Sequence, residues 1–201
     1  MPLTRQVARG AELGKGGLSA PDADGGYLDN QGRAFLIRQA RPQDAAAVGR
    51  IMADLAESEE FILLSPEEIG ADTLRRADEL SRMEKLADRW HIALVEQDGE
   101  AVGMLDLRAV PLKKCNHVME LGLGLLPEAT DRGMGTALMN YALERAETLG
   151  YRKVRLFVIA CNQRAVHVYR KIGFEETGRF LEEVRVHDRL VDLIVMEMAL
   201  P

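Results

Sequence analysis

The chain has 201 residues, 47% of them hydrophobic and 29% charged, with 26 lysines and arginines against 32 aspartates and glutamates. That length is one domain's worth, or one domain with a tail, and the apolar content excludes a wholly disordered chain, which lacks the apolar surface to offset ordering entropy. A net charge of −6 and a pI near 5.3 argue against a protein built to coat nucleic acid.

No apolar run reaches the roughly 18–20 residues that span a bilayer, so no membrane partner is expected. The first thirty residues contain no apolar block with a cleavage site, so no secretory signal is read there. The two cysteines, Cys115 and Cys161, do not form a CxxC and read as reduced thiols of a cytoplasmic protein. His91, His117, His167 and His187 lack zinc-ligand spacing, and no metal site is expected.

Residues 1–33 carry seven glycines and no sustained periodicity, and read as a flexible extension or a loosely docked arm ahead of a domain over 34–201. "AFLIRQA" (34–40) is a short strand. Val48, Ile51, Met52 and Leu55 then recur at i, i+3, i+4 and i+7, one face of an amphipathic helix. "SPEEI" starts a second helix: Ser65 can cap, Pro66 suits the first helical position and Glu68 completes a capping box, with a charged helix running to about Asp88.

Asp98-Gly99 between "HIALVEQ" and "EAVGMLDLRA" predicts a tight hairpin. "NHVMELGLGLL" is the fourth predicted strand, ended by Pro127. A helix spans Gly133 to Gly150, with Met134, Leu138, Ala142, Ala146 and Leu149 on one face. "KVRLFVIA" reads as a strand buried on both faces. Asn162 opens a short helix that stops at Gly173, and a final antiparallel pair turns at His187-Asp188. The order β-α-α-β-β-β-α-β-α-β-β is an α/β (α+β) arrangement with a mixed, mostly antiparallel sheet flanked by helices, not a doubly wound fold.

Two segments carry chemistry. In "LGLGLLPEATDRGMGTAL" a strand leads through a glycine turn into a helix. Gly133 and Gly135 allow close backbone approach, the first helical N–H groups lack internal partners, and the helix dipole favours an anion such as a pyrophosphate. Arg132 adds a cation. The same residues also suit a glycine-tolerant turn with no ligand. A dinucleotide fingerprint is disfavoured because Leu138 stands where its third glycine belongs, and no P-loop string occurs. In "VIACNQRAVHVYRKIGF", Asn162 can cap the helix or bind a ligand at the strand end. Tyr169 lies two turns along the same face and, protonated at neutral pH, can donate a proton to a leaving group or simply sit in the core.

Together these stretches resemble the GNAT superfamily of N-acetyltransferases. The second signature, N-x-x-A-x-x-x-Y-x-x-x-G-F, is matched by Asn162, Ala165, Tyr169, Gly173 and Phe174. The first, [QR]-x-x-G-x-[GA], is matched at Gly133 and Gly135 with Thr130 in place of Arg or Gln. A shifted register on Arg132, Gly135 and Ala137 also fits, but the former keeps Pro127 and the helix start in their usual places. The resemblance covers about residues 34–200. It implies a sheet splayed between the fourth and fifth predicted strands, with acetyl-CoA as acetyl donor in the gap. It places the pyrophosphate on N–H groups of Arg132, Gly133, Met134, Gly135, Thr136 and Ala137, and the pantetheine arm along Leu123 to Leu125. The Leu125 N–H then faces the thioester oxygen, Asn162 contacts the arm and Tyr169 protonates the departing thiolate.

A lysine-like amine is mostly protonated at neutral pH and needs a base to attack. Glu120, in the fourth predicted strand, is the candidate, with Glu59 and Glu60 as rivals and a plain ion-paired strand residue as the bland reading. His117 is a weaker proton-shuttle candidate, and Cys161 has no activating neighbour in sequence. Residues 57–89 hold ten acidic and five basic side chains, and a negative field there would favour a cationic acceptor. A solvated helix with i,i+4 pairs explains them equally well. The reading is therefore acetyl transfer to a primary amine by direct attack in a ternary complex, the acceptor being a protein N-terminus, lysine, polyamine, amino acid or aminoglycoside. A non-catalytic acetyl-CoA-binding sensor is the alternative. The last two strands offer a possible homodimer surface.

Overall fold

The computed structural model describes residues 26–57, 62–69 and 73–201. Eight strands form one sheet: β1 (Gly26–Leu28), β2 (Ala34–Gln39), β3 (Trp90–Gln97), β4 (Glu100–Ala109), β5 (Val118–Leu125), β6 (Lys153–Ile159), β7 (Glu175–Val186) and β8 (Arg189–Ala199). Their spatial order is β1-β2-β3-β4-β5-β6-β8-β7. Every neighbouring pair is antiparallel except β5 with β6.

That parallel pair is where the sheet opens. β5 and β6 are in register only from Val118↔Lys153 to Leu121↔Leu156, and beyond these the strands part. The predicted splay between the fourth and fifth strands is this opening between β5 and β6. It leaves the last four residues of β5, Gly122 to Leu125, bound on one side only, to β4.

Helices cover both faces. α4 (Met134–Thr148) and α5 (Gln163–Ile172) pack on one, where Met134, Leu138, Ala142, Val166 and Tyr169 join Leu105, Met119, Leu156 and Met196 in the larger core. α1 (Ala45–Ala56) and α3 (Thr73–Lys85) pack on the other, where Val48, Ile51, Leu55, Leu80 and Met83 close over Ile92, Leu94 and Met104. The periodicity of 48, 51 and 55 thus becomes a buried stripe, while Met52 stays half-buried. Asp98 (φ 53°) and Gly99 (φ 80°) are both left-handed, the backbone that a two-residue D-G hairpin turn needs.

Three expectations change. The segment read as an extension up to residue 33 contributes β1, which pairs antiparallel with β2 at Gly26↔Leu36 and Leu28↔Ala34. Three strand residues among glycines give no detectable alternation, so only the tertiary pairing reveals the strand. Residues 1–25 lie outside the described residues. The charged helix expected from Pro66 to about Asp88 is described over α2 (Pro66–Ile69) and α3, which ends at Lys85, and residues 70–72 lie outside the described residues. The predicted cap at its start is present in part, the Ser65 N–H donating to Glu68 Oε2 at 2.9 Å.

Finally, β6 is buried on both faces only at its end: Val154, Leu156 and Val158 are buried on one face, whereas on the other Lys153, Arg155 and Phe157 are half-exposed and only Ile159 is buried. At the far side β7 forms an edge that leaves Phe180 and Leu181 exposed, on the surface expected to serve a dimer. No helix among the described residues is long and apolar enough to cross a membrane.

Candidate active site

The gap between β5 and β6 opens into a cleft of about 590 Å³ that also runs beneath α1 and α3. Glu120, Leu123, Leu125, Gly135, Asn162 and Tyr169 all line it. The structure therefore brings residues from β5, α4 and α5 with its N-cap to one cavity.

Backbone geometry makes the inner wall. The Leu126 N–H is donated to Val102 O at 2.9 Å, toward β4. Successive N–H groups of a strand alternate between its two edges, so those of Leu125 and Leu123 point the other way, into the gap that β6 vacates. Gly122 and Gly124 alternate with them, on the face toward α1. A Cβ at Gly122 would meet nothing within 4 Å, whereas one at Gly124 would run into Leu55 Cδ1 at 2.3 Å. The strand thus offers an unpaired, extended hydrogen-bonding edge beside an open floor.

The anion site predicted at the start of α4 has a defined shape. Gly133 is the N-cap with φ 86°, left-handed, and the helix follows at once. A left-handed residue followed by right-handed ones turns successive N–H groups into one concavity that holds anions. Thr136 and Ala137 donate their N–H groups to Gly133 O, each at 3.1 Å. The donors left to an incoming anion on this helix are therefore those of Gly133, Met134 and Gly135, a shorter set than the resemblance implied. A Cβ at Gly135 would meet only Leu125 Cδ1, at 3.5 Å, so the position is open toward the cleft.

Arg132 does not supply the expected cation. Its side chain is buried, and its guanidinium is paired with the buried Asp29, donates to Gln97 Oε1 at 2.7 Å and to Glu128 O at 3.1 Å. Desolvation opposes charge on Asp29, but hydrogen bonds from the Arg33 N–H, the Arg132 guanidinium, the Gln31 N–H and Gln97 hold its carboxyl well below the usual carboxylate range. Asn30 N–H also donates to Arg132 O at 3.0 Å. Arg132 therefore staples the β1–β2 hairpin to the anion loop. Thr130, and not Arg132, lines the cleft, which supports the signature register with Thr130 at its first position.

Asn162 caps α5: its Oδ1 accepts from the Ala165 N–H at 3.1 Å, leaving its amide NH₂ as the group for a ligand. Tyr169 is buried, against Phe174, and burial pushes its phenol up to about 12. It stays protonated throughout the neutral range. Glu120 lines the cleft with its side chain 45% exposed, and its Oε2 accepts from Arg155 Nε at 3.1 Å and Nη2 at 2.9 Å. His117 is exposed, just before β5, and does not line the cleft. Glu59 and Glu60 lie outside the described residues. Two of the acidic side chains of 57–89 are paired along α3, Glu79 with Arg75 and Asp78 with Arg82. Among the described residues no group of three or more His, Cys, Asp and Glu side chains could hold a metal ion.

A family model described as the acetyltransferase (GNAT) family matches residues 51–174, more than half of the chain. The chain belongs to the GNAT acetyltransferase family. An L-amino acid N-acetyltransferase of Escherichia coli is 29% identical over 149 residues, covering 72% of this chain and 85% of that protein. A spermidine N(1)-acetyltransferase of the same organism is 30% identical over 104 residues, 51% of this chain, and the chain spans only 55% of that protein. A GNAT-family acetyltransferase from Streptococcus pneumoniae superposes with a TM-score of 0.77 at 25% identity, over 83% of this chain and 99% of that one. A Salmonella typhimurium acetyltransferase solved with acetyl-CoA shares the fold, with a TM-score of 0.75 and 18% identity over 83% and 94% of the two chains.

The residues of this GNAT cleft also fit acetyl-CoA as acetyl donor. The splayed edge of β5, the concavity at Gly133 and the open side of Gly135 are side-chain-free surfaces of the kind a pantetheine-pyrophosphate chain requires. Sequence reasoning missed a group on the opposite wall. Trp90 Nε1 donates to Asp106 Oδ1 at 2.9 Å, Arg108 Nε donates to the same oxygen at 2.9 Å, and the Arg108 guanidinium lies 4.4 Å from the Trp90 ring centre. The i,i+2 spacing of Asp106 and Arg108 on a strand was the available signal.

Proposed function

We propose that the protein transfers the acetyl group of acetyl-CoA to a primary amine, by direct attack with both substrates in the cleft. The observation that carries this reading is the convergence of three features on one cavity: the β5 edge at Leu123 and Leu125, the open Gly135 at the start of α4 and the buried Tyr169. Bound acetyl-CoA supplies an acyl thioester. The Leu125 N–H is a fixed donor for a carbonyl oxygen that gains negative charge, and a donor aimed in advance at that charge needs no reorganisation. Tyr169, held protonated by burial, returns a proton to the departing thiolate. Gly133, Met134 and Gly135 hold the pyrophosphate through their N–H groups, and the Asn162 amide contacts the arm.

Glu120 takes the proton from the acceptor's ammonium group, and the neutral amine so formed attacks the thioester carbon. Glu120 lines the cleft beside Arg155, and its exposure allows the transfer to run through one water. The relatives include enzymes named for spermidine and for L-amino acids, which supports an amine acceptor without choosing between those classes. A small-molecule or peptide amine and a cytoplasmic setting complete the proposal.

The test is free-thiol release from acetyl-CoA by the purified chain across a panel of amines, with products confirmed by mass. Turnover with one class is expected. Tyr169→Phe should lower kcat by about 10²-fold with little change in acetyl-CoA affinity, and Glu120→Gln should slow the reaction most at low pH, where little amine is free. Tight acetyl-CoA binding with silence across the panel would turn the reading into a non-catalytic sensor.

A further inference from the structure

The wall of the cleft that faces away from the anion loop carries two matched units. In one, Asp106 is held by Arg108, whose guanidinium stacks 4.4 Å from the Trp90 ring centre. In the other, Glu120 is held by Arg155, whose guanidinium lies 5.6 Å from the Phe157 ring centre. The register of β4 with β5 sets Arg108 directly opposite Glu120, and Asp106 opposite Gly122. The units therefore adjoin on one face of the sheet, beside the open floor above Gly122.

Their charges cancel. The acidic side chains that line the cleft among the described residues are Glu79, Asp106 and Glu120, and each is paired with an arginine: Arg75, Arg108 and Arg155. A polyamine seeks carboxylates that are not already neutralised, and these are. Arg108 is neutralised as well, by Asp106, but it keeps donors to spare. It commits Nε and Nη2 to Asp106, its side chain is 56% exposed, and Nη1 meets no acceptor among the described residues. A guanidinium whose plane is fixed by an aromatic face and a carboxylate is a pre-oriented carboxylate receptor.

Two residues along a strand advance about 6.6 Å, so Arg108 stands one pleat from the floor at Gly122, within the length of its own side chain. The wall across from it is apolar, with Met52, Ile62, Leu63 and Leu64 lining the mouth.

We infer that the acceptor is an amine bearing its own carboxylate and an apolar substituent, an apolar α-amino acid, with Arg108 as the residue that recognises the carboxylate. This assignment rests on the transfer reaction proposed above. The acceptor amino group then sits over Gly122, next to Glu120. The carboxylate reaches the Arg108 guanidinium, and the side chain lies against Met52 and Leu63.

The experiment uses the purified full chain with saturating acetyl-CoA and matched acceptors: L-methionine, L-leucine and L-phenylalanine, their carboxamides, and spermidine. The free acids should exceed their carboxamides by about tenfold or more in kcat/KM, the value of a charge-assisted hydrogen bond to a carboxylate. Spermidine should be poorer still. Arg108→Gln should raise KM for the acids about tenfold and narrow the acid-to-amide ratio toward one, and Arg108→Lys should recover part of it. Acids and amides of equal efficiency, spermidine as the best acceptor, or an Arg108→Gln loss shared equally by acids and amides each overturns the assignment while leaving acetyl transfer intact. Those acceptor ratios need no variant, so a poorly folding Arg108→Gln does not protect the inference. Transfer to no amine at all removes the reaction itself, a distinct failure.

Discussion

Where β5 leaves β6, the cleft is walled by backbone: the Leu123 and Leu125 N–H groups, the left-handed Gly133 and the bare Gly135. Under α1 and α3 it is walled by side chains: Trp90, Asp106, Arg108 and Glu120 on the sheet, Met52 and Leu63 above them. A backbone site is specified by whatever holds the backbone, and its own residues need only be small. A side-chain site is specified by the identities of the residues in it. The first kind serves a ligand that does not vary, the second a ligand that does, and one cleft joins the two.

The most severe way to break the donor end is therefore remote from it. Asp29 compensates the buried Arg132 guanidinium, whose backbone carbonyl accepts from Asn30 in the β1–β2 hairpin. Asp29→Ala leaves that guanidinium buried without its partner, a change that costs about 3–5 kcal/mol. The unfolding free energy in urea should fall by that amount, and acetyl-CoA affinity should fall with it if the hairpin fixes the loop. The sign with pH follows from the depressed carboxyl of Asp29. Its contribution is complete above the ordinary carboxylate pKa, near 3.9, and is lost as the pH falls from there toward the folded-state value. The gap in stability between wild type and Asp29→Asn should thus be full at pH 7 and shrink in acid; a gap independent of pH would remove Asp29 from this role.

Next in size is a change at the anion site itself. Gly135→Asp places a carboxylate where the N–H groups of α4 meet the cleft, and should weaken acetyl-CoA binding by about 10²-fold, some 2.7 kcal/mol, in a calorimetric titration. Gly135→Ala is the control. Its Cβ makes ordinary contact with Leu125 at 3.5 Å, so stability should be kept and affinity should change only a few-fold. Equal affinities for all three proteins would move the pyrophosphate elsewhere.

The two ends also differ in how far they can be read from sequence. Gly133, Gly135, Asn162 and Tyr169 are local: each owes its position to a helix end or to a spacing within one helix, and each falls where the pattern predicts. The resemblance to GNAT signatures reaches the same residues. Arg132 was misplaced because burial depends on a partner about a hundred positions away, in a strand too short to show alternation.

The Trp90–Asp106–Arg108 group was hidden by a single residue. The D-G turn pairs Gln97 with Glu100 and Glu96 with Ala101, and extending that register would set Trp90 against Leu107. The structure shifts register between Val95 and Glu96, so that Trp90 lies opposite Arg108 and Ile92 opposite Asp106. One inserted residue moves a strand's contacts to the other face, and nothing in the residue types near Val95 announces it.

Asn162 belongs to both ends of this comparison, and the smallest expected effect separates its two uses. As the N-cap of α5 it satisfies the Ala165 N–H through Oδ1, and Asn162→Ala should cost about 1 kcal/mol of stability, the usual value of a lost cap. Aspartate caps a helix as well as asparagine does, but it has no NH₂ to give a ligand. Asn162→Asp should therefore unfold at the wild-type denaturant midpoint and yet bind acetyl-CoA more weakly, because the carboxylate replaces the donor we propose for the arm. If Asn162→Asp matches wild type in both measurements, Asn162 is a cap alone. Tyr169 is then the one side chain the proposed donor end uses, and the division between a backbone-built end and a side-chain-built end becomes sharper.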